Sequence, residues 1–205
     1  MGDKLKKQAV EVDADVVARG LKDALAGEKI LLTQEEIRGT LLALQNELRT
    51  RQVEAAKKLA ERSRQEGEAF LAANKAKESV VTLASGLQYK ILQAGAGKKP
   101  TADDAVVGHY RGTLIDGKEF DSSYKHTEPT TFALKRVIKG WAEALQLMPV
   151  GSKWQLFVPP SLAYGERGAE GLIGPNATLI FDLELIAIKE KSATADKSPP
   201  DGHDR

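Results

Sequence analysis

The sequence predicts an α+β protein in which an all-α N-terminal arm with one long helix precedes a domain of antiparallel strands and one short helix. The first observation is that all eight prolines, the strongest helix breakers, lie at or beyond Pro100. The second is that Phe70 is the one aromatic side chain before Tyr89. The third is a change of hydrophobic period from helical to alternating after Ser85-Gly86. Helices therefore belong to the first part of the chain and strands to the second.

Three regions follow from this change in composition. Residues 1–80 form the helical arm, and residues 81–190 form the strand-rich domain. The last residues, 191–205, are polar and end close to Pro199-Pro200-Asp201-Gly202. Such a segment has too little apolar surface to offset the entropy cost of ordering, so we expect a disordered tail.

Capping signals place two helices in the arm. Asp13 is a suitable N-cap for a short helix that runs to about Ala26, with Gly27 as a left-handed stop. Thr33 and Glu36 have the spacing of a capping box, which predicts a second helix. This pattern meets no proline before about residue 77, so the helix is expected to be a rod of about 60 Å.

An apolar seam marks the start of this rod. Its residues are spaced 4-3-4, the a/d pattern of a helix contact: Ile37, Leu41, Leu44 and Leu48. The same register then meets mostly charged positions at Arg51, Ala55, Lys58 and Arg62, so the stretch from residue 49 to 77 is predicted to be solvated. Two interpretations of the seam are equally supported by the residues: packing on the short helix of the same chain, or contact with a second copy.

The second part of the chain has the alternation typical of strands. We predict strands over residues 87–91, 105–114, 119–122, 131–134, 153–158 and 178–188, with a short helix over 141–147. Asp116-Gly117 predicts a hairpin turn between the second and third strands. The segment from Ser161 to Asn176 is glycine-rich and irregular, and its length is typical of a functional loop.

Charge and composition exclude several classes of function. The 30 basic and 29 acidic side chains nearly cancel and are evenly distributed, so nucleic-acid binding has no electrostatic basis. The absence of cysteine excludes disulfides and thiolate chemistry. No apolar run approaches the ~20 residues that span a bilayer, and the charged start from Met1 to Gln8 does not resemble a signal peptide.

Motifs for metal or nucleophilic catalysis are also missing from the sequence. The three histidines, His109, His126 and His203, lack the short spacing of a zinc motif. No serine lies in a G-x-S-x-G elbow, and Gly95-Ala96-Gly97 lacks the remainder of a phosphate loop. We therefore expect neither a metal nor covalent chemistry.

The strand-rich domain does contain several aromatic side chains beside polar ones near strand ends. Trp154 and Phe157 are interpreted as core residues. Tyr164 is different, because Ala163-Tyr164-Gly165 opens the irregular loop, where a core tyrosine would be unusual. The other members of this aromatic set are Tyr110, Phe120 beside Asp121, and Trp141.

Five segments in order carry a family resemblance. They are His109-Tyr110-Arg111-Gly112, Asp116-Gly117-Lys118-Glu119-Phe120-Asp121-Ser122-Ser123, Val137-Ile138-Lys139-Gly140-Trp141, Ala163-Tyr164-Gly165 and Pro175-Asn176-Ala177-Thr178-Leu179-Ile180-Phe181. Over roughly Leu83 to Lys189, the chain resembles the FKBP-type peptidyl-prolyl cis-trans isomerases. Gly67-Glu68-Ala69-Phe70-Leu71 and Ser85-Gly86-Leu87-Gln88-Tyr89-Lys90 resemble the Mip (macrophage infectivity potentiator) branch, whose members have a helical dimerisation arm.

The resemblance implies a fold, an activity and a set of site residues. The fold is a bent antiparallel sheet wrapped on one short helix, and the activity is rotation of Xaa-Pro bonds in protein folding without a cofactor, with chaperone-like help from a dimeric arm. The catalytic residues would be Tyr110, Asp121 and Tyr164. Substrate-binding residues would be Phe120, Phe132, Val137, Ile138, Trp141, Leu172, Ile173 and Phe181, and the dimer interface would be Ile37, Leu41, Leu44 and Leu48. A module that binds proline peptides without turnover is the alternative.

Partners and location are implied in the same way. The expected partners are unfolded or partly folded proteins that contain proline, macrolide inhibitors of the family and a second copy of the chain, with no nucleic acid and no membrane span. Mip-like proteins act in the periplasm or on the outer surface of Gram-negative bacteria, and relatives in the cytoplasm give the alternative location.

Two positions depart from the family pattern. Many members have an arginine soon after the Phe-Asp-Ser-Ser motif to hold the aspartate, whereas this chain offers Lys125 or His126. Thr130 stands where eukaryotic members have an aromatic residue, which predicts a thinner wall and weaker macrolide binding.

Overall fold

The computed structural model describes residues 13–27, 32–125, 128–169 and 171–189. The chain groups into two compact units, Met1–Lys58 and Leu59–Arg205, and each is described separately below. The predicted disordered tail over 191–205 lies outside the described residues, as does His126.

The first unit confirms both predicted caps. Helix α1, Ala14–Ala26, begins where the Asp13 carboxylate accepts hydrogen bonds from the backbone N–H groups of Asp15 and Val16, at 2.9 and 3.1 Å. It ends at Gly27, whose φ of 71° lies in the left-handed region. The capping box is reciprocal, because the Thr33 N–H donates to Glu36 at 2.7 Å and the Glu36 N–H donates to the Thr33 hydroxyl at 3.2 Å.

Helix α2, Gln34–Lys75, is a single element of 42 residues. Along its first part, Ile37 and Leu41 are exposed, whereas Leu44 and Leu48 are half-buried. Helix α1 has no buried residue, and its apolar side chains Val16, Val17, Leu21 and Leu25 are 57–82% exposed. The apolar faces of both helices therefore remain largely uncovered within one chain.

The last part of α2 is not the solvated rod that the charge pattern predicts. Gly67 and Asn74 are buried, and the Phe70 ring lies 5.9 Å from the Phe157 ring of the sheet. The Asn74 amide donates to the Gln88 side chain at 3.0 Å, and the Gln88 amide donates to a carbonyl of the helix at 2.9 Å. The prediction of a solvated helix was therefore wrong from about residue 59 onward. The helix packs on the sheet through a glycine and a pair of side-chain amides, and these produce no apolar stripe in the sequence.

The second unit contains one antiparallel sheet of seven strands in the order β1-β2-β6-β7-β3-β4, with β5 paired to β3. The strands are β1 Val81–Thr82, β2 Gln88–Gln93, β3 Ala105–Leu114, β4 Glu119–Ser122, β5 Thr130–Ala133, β6 Lys153–Val158 and β7 Leu179–Lys189. All but β1 were predicted within one or two residues, and the predicted turn at Asp116-Gly117 connects β3 to β4 with φ of 85° at the glycine.

One short helix packs against this sheet. Helix α3, Lys139–Leu147, buries Trp141, Ala144 and Leu145. These side chains join sheet residues such as Leu156 and Leu183 in the core, each 1% exposed or less. The observed architecture is therefore the predicted α+β fold, with a sheet packed on one short helix and a helical arm before it.

Candidate active site

A cavity of about 260 Å³ opens beside α3 in the second unit. It brings together most of the side chains that the sequence singles out. Its walls are formed by Tyr110, Phe120, Asp121, Phe132, Arg136, Val137, Ile138, Trp141, Tyr164 and Phe181. These residues come from four strands, from α3 and the segment that enters it, and from the loop after β6, so the fold is required to assemble the cavity.

The aromatic rings are organised around Trp141, which is 5% exposed. Its ring centroid lies 5.2 Å from those of Tyr110 and Phe132 and 5.1 Å from that of Phe181, with interplanar angles of 74–87°. Edge-to-face contacts of this kind fix ring orientation as well as burying area. These rings therefore form an aromatic wall with fixed ring orientations.

Gly112 supplies the space that two of these rings occupy. A Cβ atom at this position would lie 2.6 Å from Phe120 and 2.9 Å from Phe181 ring atoms. The two rings pack edge to face with centroids 5.6 Å apart. A residue with a side chain at position 112 would displace the cavity wall, which is a physical reason for glycine in this motif.

The polar side of the cavity is a hydroxyl-carboxylate pair. The Tyr110 hydroxyl donates to Asp121 Oδ2 at 2.6 Å, and the Ser122 N–H donates to Asp121 Oδ1 at 2.8 Å. Burial, and then the hydrogen bond to the Asp121 carboxylate, raise the pKa of the Tyr110 hydroxyl well above its ordinary value of 10.0. Both carboxylate oxygens are thus held without an arginine.

Lys125, one of the two residues expected to replace that arginine, contacts a different acid. The Lys125 ammonium lies 3.0 Å from the Glu119 carboxylate, which also accepts from Arg111 at 2.8 Å. Ser123 holds the backbone of Tyr110, because its hydroxyl accepts a hydrogen bond from the Tyr110 N–H at 2.8 Å. The aspartate is therefore oriented by its own strand and by Tyr110, not by Lys125.

Tyr164 lies at the start of the irregular loop and is 42% exposed. A short 3-10 turn, Gly165–Arg167, follows it directly. The far end of the loop returns to this turn, because the Asn176 N–H donates to the Gly165 carbonyl at 2.9 Å. Asn176 has φ of 54°, a left-handed conformation that asparagine tolerates better than most residues. The loop therefore fixes the backbone beside Tyr164.

Two residues that the resemblance places in the wall do not line the cavity. Leu172 is 48% exposed, and Ile173 is buried in the hydrophobic core. Ile173 pairs with Ala169 through backbone hydrogen bonds of 2.9 and 3.3 Å. Gly168 and Gly171, with φ of 65° and 91°, allow the tight turn that directs Ile173 inward.

Strand β5 supplies an aromatic wall despite Thr130. Phe132, two residues further along the strand, makes an edge contact with Tyr110 at 5.5 Å and lines the cavity. Phe132 was itself expected in the wall, so the thinner wall expected at Thr130 stays a prediction. Arg136 also lines the cavity but was not predicted. Its position immediately before the Val137-Ile138 motif is the feature of the sequence that could have indicated it.

The described residues contain no group of three or more histidine and acidic side chains placed to hold a metal ion. In the described part of the chain, no helix combines the length and apolarity needed to cross a membrane. The cavity combines aromatic and aliphatic walls with one hydroxyl-carboxylate pair, and with the sheet-on-helix fold it defines an FKBP-type domain.

Comparison with known proteins gives the family. Residues 96–186 match the family model for FKBP-type peptidyl-prolyl cis-trans isomerase, and residues 1–91 match the domain amino terminal to FKBP-type peptidyl-prolyl isomerase. The chain is 47% identical over 190 residues to outer membrane protein MIP of Legionella longbeachae, covering 93% of this chain and 82% of that protein. It is also 47% identical over 190 residues to peptidyl-prolyl cis-trans isomerase Mip of Coxiella burnetii, covering 93% of this chain and 83% of that protein.

A solved structure agrees with the sequence comparisons. The crystal structure of FkpA from Escherichia coli superimposes with a TM-score of 0.78 at 38% identity, covering 91% of this chain and 87% of that one. This chain belongs to the FKBP-type peptidyl-prolyl cis-trans isomerase family, and it is similar to the Mip and FkpA proteins. The resemblance and the enzyme class read from the sequence are thereby confirmed.

Proposed function

We propose that the cavity around Trp141 is where this isomerase rotates Xaa-Pro bonds, and that it acts without forming or breaking a covalent bond. The observation that carries the proposal is the aromatic enclosure of a single hydroxyl-carboxylate pair. The barrier to rotation is ~18–20 kcal/mol because the planar amide must lose its resonance. A planar amide has more charge separation than a twisted one. Removing water therefore destabilises the ground state more than the transition state.

Two polar side chains would assist this rotation. The Tyr164 hydroxyl is proposed to donate to a carbonyl of the bound peptide, and Asp121 to orient the twisting amide through its fixed carboxylate. The exposure of Tyr164 at the loop start and the hydrogen bonds on both Asp121 oxygens support these roles. Phe120, Phe132, Val137, Ile138 and Phe181 would enclose the proline ring.

The test of these roles is cis/trans exchange of an Xaa-Pro tetrapeptide, measured by NMR. Asp121→Leu should lower kcat/KM at least about tenfold, which corresponds to ~1.4 kcal/mol of lost transition-state stabilisation. Tyr164→Phe should lower it several-fold. Matched controls are Asp103→Leu and Tyr124→Phe, at exposed positions outside the cavity, and both should retain wild-type turnover. If the two cavity variants behave like their controls, the proposed roles are wrong.

The second part of the proposal is that the arm forms a homodimer. Its support is the apolar surface left uncovered in one chain, namely Ile37 and Leu41 on α2 and the whole apolar face of α1. Exposed apolar surface of this extent is typical of an interaction site. Leu44 and Leu48, one and two turns further along, would extend the same seam.

Analytical ultracentrifugation tests the dimer. The full chain should sediment as a dimer, and Leu41→Lys combined with Leu48→Lys should convert it to a monomer, because two charges would be buried on each side of the interface. Val53→Lys is the control, since Val53 is also exposed on α2 but lies outside the seam. A wild-type monomer at high micromolar concentration would refute the proposal.

The third part is that the dimeric arm gives chaperone-like capture of proline-containing, unfolded chains. Two linked cavities raise the effective concentration of the second site to about the millimolar range without any new contact. The test is refolding of a protein limited by proline isomerisation, with full-length chain compared with residues 59–205 at equal cavity concentration. This cut retains the part of α2 that packs on the sheet. Equal acceleration by both forms would show that the arm adds nothing.

Location and inhibitors complete the proposal. We place the protein in the periplasm or at the outer surface of a Gram-negative bacterium, with the cytoplasm as the alternative, because one similar protein is named an outer membrane protein. Macrolide inhibitors of the family are proposed to occupy the cavity, with Phe132 supplying the aromatic wall on strand β5. Cell fractionation and inhibitor titration of tetrapeptide turnover test these two statements.

A further inference from the structure

Two of the described side chains that line the isomerase cavity carry a charge, Asp121 and Arg136. They differ in how far the charge is already paired. Both carboxylate oxygens of Asp121 accept hydrogen bonds, one from the Tyr110 hydroxyl and the other from the Ser122 N–H. Within the described part of the chain, the Arg136 guanidinium makes no hydrogen bond or ion pair. Arg136 therefore brings an unpaired positive charge to the wall of the cavity.

The fold holds the backbone of Arg136 beside the cavity. Arg136 is the last residue of the 3-10 turn Leu134–Arg136, which lies between β5 and α3. Leu134 is 3% exposed in the core, and its N–H donates to the Asp104 carbonyl at 3.1 Å. Val137, the next residue along the chain, also lines the cavity. The backbone is thus fixed, while the exposed Arg136 side chain is free to meet a bound client at the opening.

The charges next to Arg136 in the sequence do not cancel its own. Lys135 is itself a cation, and it pairs with Asp103 at 2.7 Å. Lys139 is exposed at the start of α3, and this helix has no acidic residue in its first turn. A client residue on this side of the cavity therefore meets a positive potential. Near apolar walls such a potential is screened less than in bulk water.

The chemistry of the cavity leaves this cation without a task at the proline itself. The proline ring is apolar, and rotation of the Xaa-Pro bond transfers no proton. A guanidinium instead presents a planar fork of N–H donors that matches a carboxylate. A backbone carbonyl of the client could also accept from Arg136, but every client has one, so that contact gives no selectivity. A carboxylate beside the proline is the client group that the unpaired charge would select.

We propose that Arg136 is a specificity-determining residue, which makes the isomerase favour clients with Asp or Glu directly next to the isomerised proline. The proposal rests on the proposed function of the Trp141 cavity. The Arg136 side chain is exposed, so the ion pair with the client is exposed too and changes turnover by a few-fold. A client with Lys or Arg at the same position is disfavoured by repulsion.

The experiment measures cis/trans exchange by NMR with the full chain and tetrapeptides whose ends are blocked. One series varies the residue before the proline and a second varies the residue after it, each with Glu, Gln and Lys. Gln has nearly the shape of Glu without its charge. In the responsive series, wild-type kcat/KM should be about threefold higher for Glu than for Gln, and lower again for Lys.

Two further features identify an ion pair as the cause. The gain should lie mainly in KM, because the pair forms in the ground state as well as in the transition state. Raising the salt concentration from about 20 mM to about 0.5 M should reduce the preference for Glu, because an exposed pair is screened.

Substitutions at Arg136 then test the residue. Arg136→Gln should remove the preference for Glu over Gln, and Arg136→Glu should reverse it. Arg136→Lys keeps the charge without the planar fork, so part of the preference should survive. Lys98→Glu is the matched charge reversal at an exposed position outside the cavity, and the preference should be unchanged. Each comparison is a ratio between peptides for one protein, so a change in the overall turnover of a variant does not affect it.

The outcomes separate the two proposals. Equal kcat/KM for the Glu and Gln peptides in both series overturns the role of Arg136, as does a preference for Glu that survives in Arg136→Gln. If circular dichroism shows that the variants are unfolded, the wild-type salt series decides, and a preference that salt does not reduce overturns the proposal. Failure of the wild-type chain to accelerate any of the tetrapeptides instead overturns the proposed function of the cavity.

Discussion

Tyr110→Phe removes one hydroxyl and leaves the aromatic packing of the isomerase cavity intact. In the structure this hydroxyl donates to Asp121 Oδ2 at 2.6 Å, while the Ser122 N–H holds the other oxygen. A hydrogen bond to a charged group contributes about 1.5–3 kcal/mol when buried, but Asp121 is exposed, so water replaces part of the lost bond. We expect the unfolding free energy to fall by about 1 kcal/mol.

The expected effect on catalysis has the same origin. Without the Tyr110 hydroxyl the Asp121 carboxylate keeps one donor and can rotate, so kcat/KM for a tetrapeptide should fall about threefold to tenfold. The assay is NMR exchange for turnover, with denaturant unfolding for stability. Tyr124→Phe is the control, because its ring is exposed outside the cavity. Unchanged turnover, or a loss beyond about a hundredfold, would contradict a positioning role for this hydroxyl.

The pH dependence of stability provides a second readout of the same substitution. The pKa of the Tyr110 hydroxyl is raised by burial and by the Asp121 bond, so the folded state keeps this proton when the unfolded state has lost it. The stability from this group is therefore fully present below the ordinary value of 10.0 and declines as the pH rises above it. Wild-type stability should decline more steeply than that of Tyr110→Phe above about pH 10.

Substitutions at two further positions, Gly67 and Asn176, test helix packing and loop conformation in the second unit. Gly67→Ala should lower the unfolding free energy by roughly 1–3 kcal/mol, because a Cβ there would overlap the Thr178 hydroxyl, whereas Gly39→Ala on the same helix meets nothing within 4 Å and should cost nothing. Tryptophan fluorescence during unfolding measures the first, and the loss of helical circular dichroism measures the second. Asn176→Ala should lower tetrapeptide turnover more than Asn176→Gly, because alanine at φ of 54° costs about 1–2 kcal/mol and strains the bond to Gly165. The opposite order would show that the side-chain amide matters more than the backbone conformation.

Local signals explain why much of the fold could be predicted from the sequence. The Asp13 cap, the Thr33-Glu36 box and the Asp116-Gly117 turn each depend on residues within four positions, and all three occur in the structure. The residues of the cavity could be predicted for a different reason. Its aromatic residues lie in ordered motifs, and the alternation of the strands indicates which face each side chain occupies.

The features that could not be predicted depend on long-range contacts or on loop backbone. The Asn74-Gln88 amide pair and the close approach at Gly67 give no apolar periodicity, so the last part of α2 appeared solvated. Ile173 was assigned to the cavity because the motif gives its position along the chain but not the left-handed turns that direct it into the core. The donor to Asp121 was missed because the interaction joins β3 to β4.

Catalysis of cis/trans exchange by the wild-type chain and by Trp141→Leu tests the central claim most directly. Trp141 is the ring that contacts Tyr110, Phe132 and Phe181, so its loss opens the enclosure, while Trp154 still reports that the domain is folded. The wild-type chain should accelerate exchange of an Xaa-Pro tetrapeptide, and folded Trp141→Leu should be at least about tenfold slower. A wild-type rate equal to that of buffer, or a folded Trp141→Leu variant as fast as the wild type, would contradict the claim.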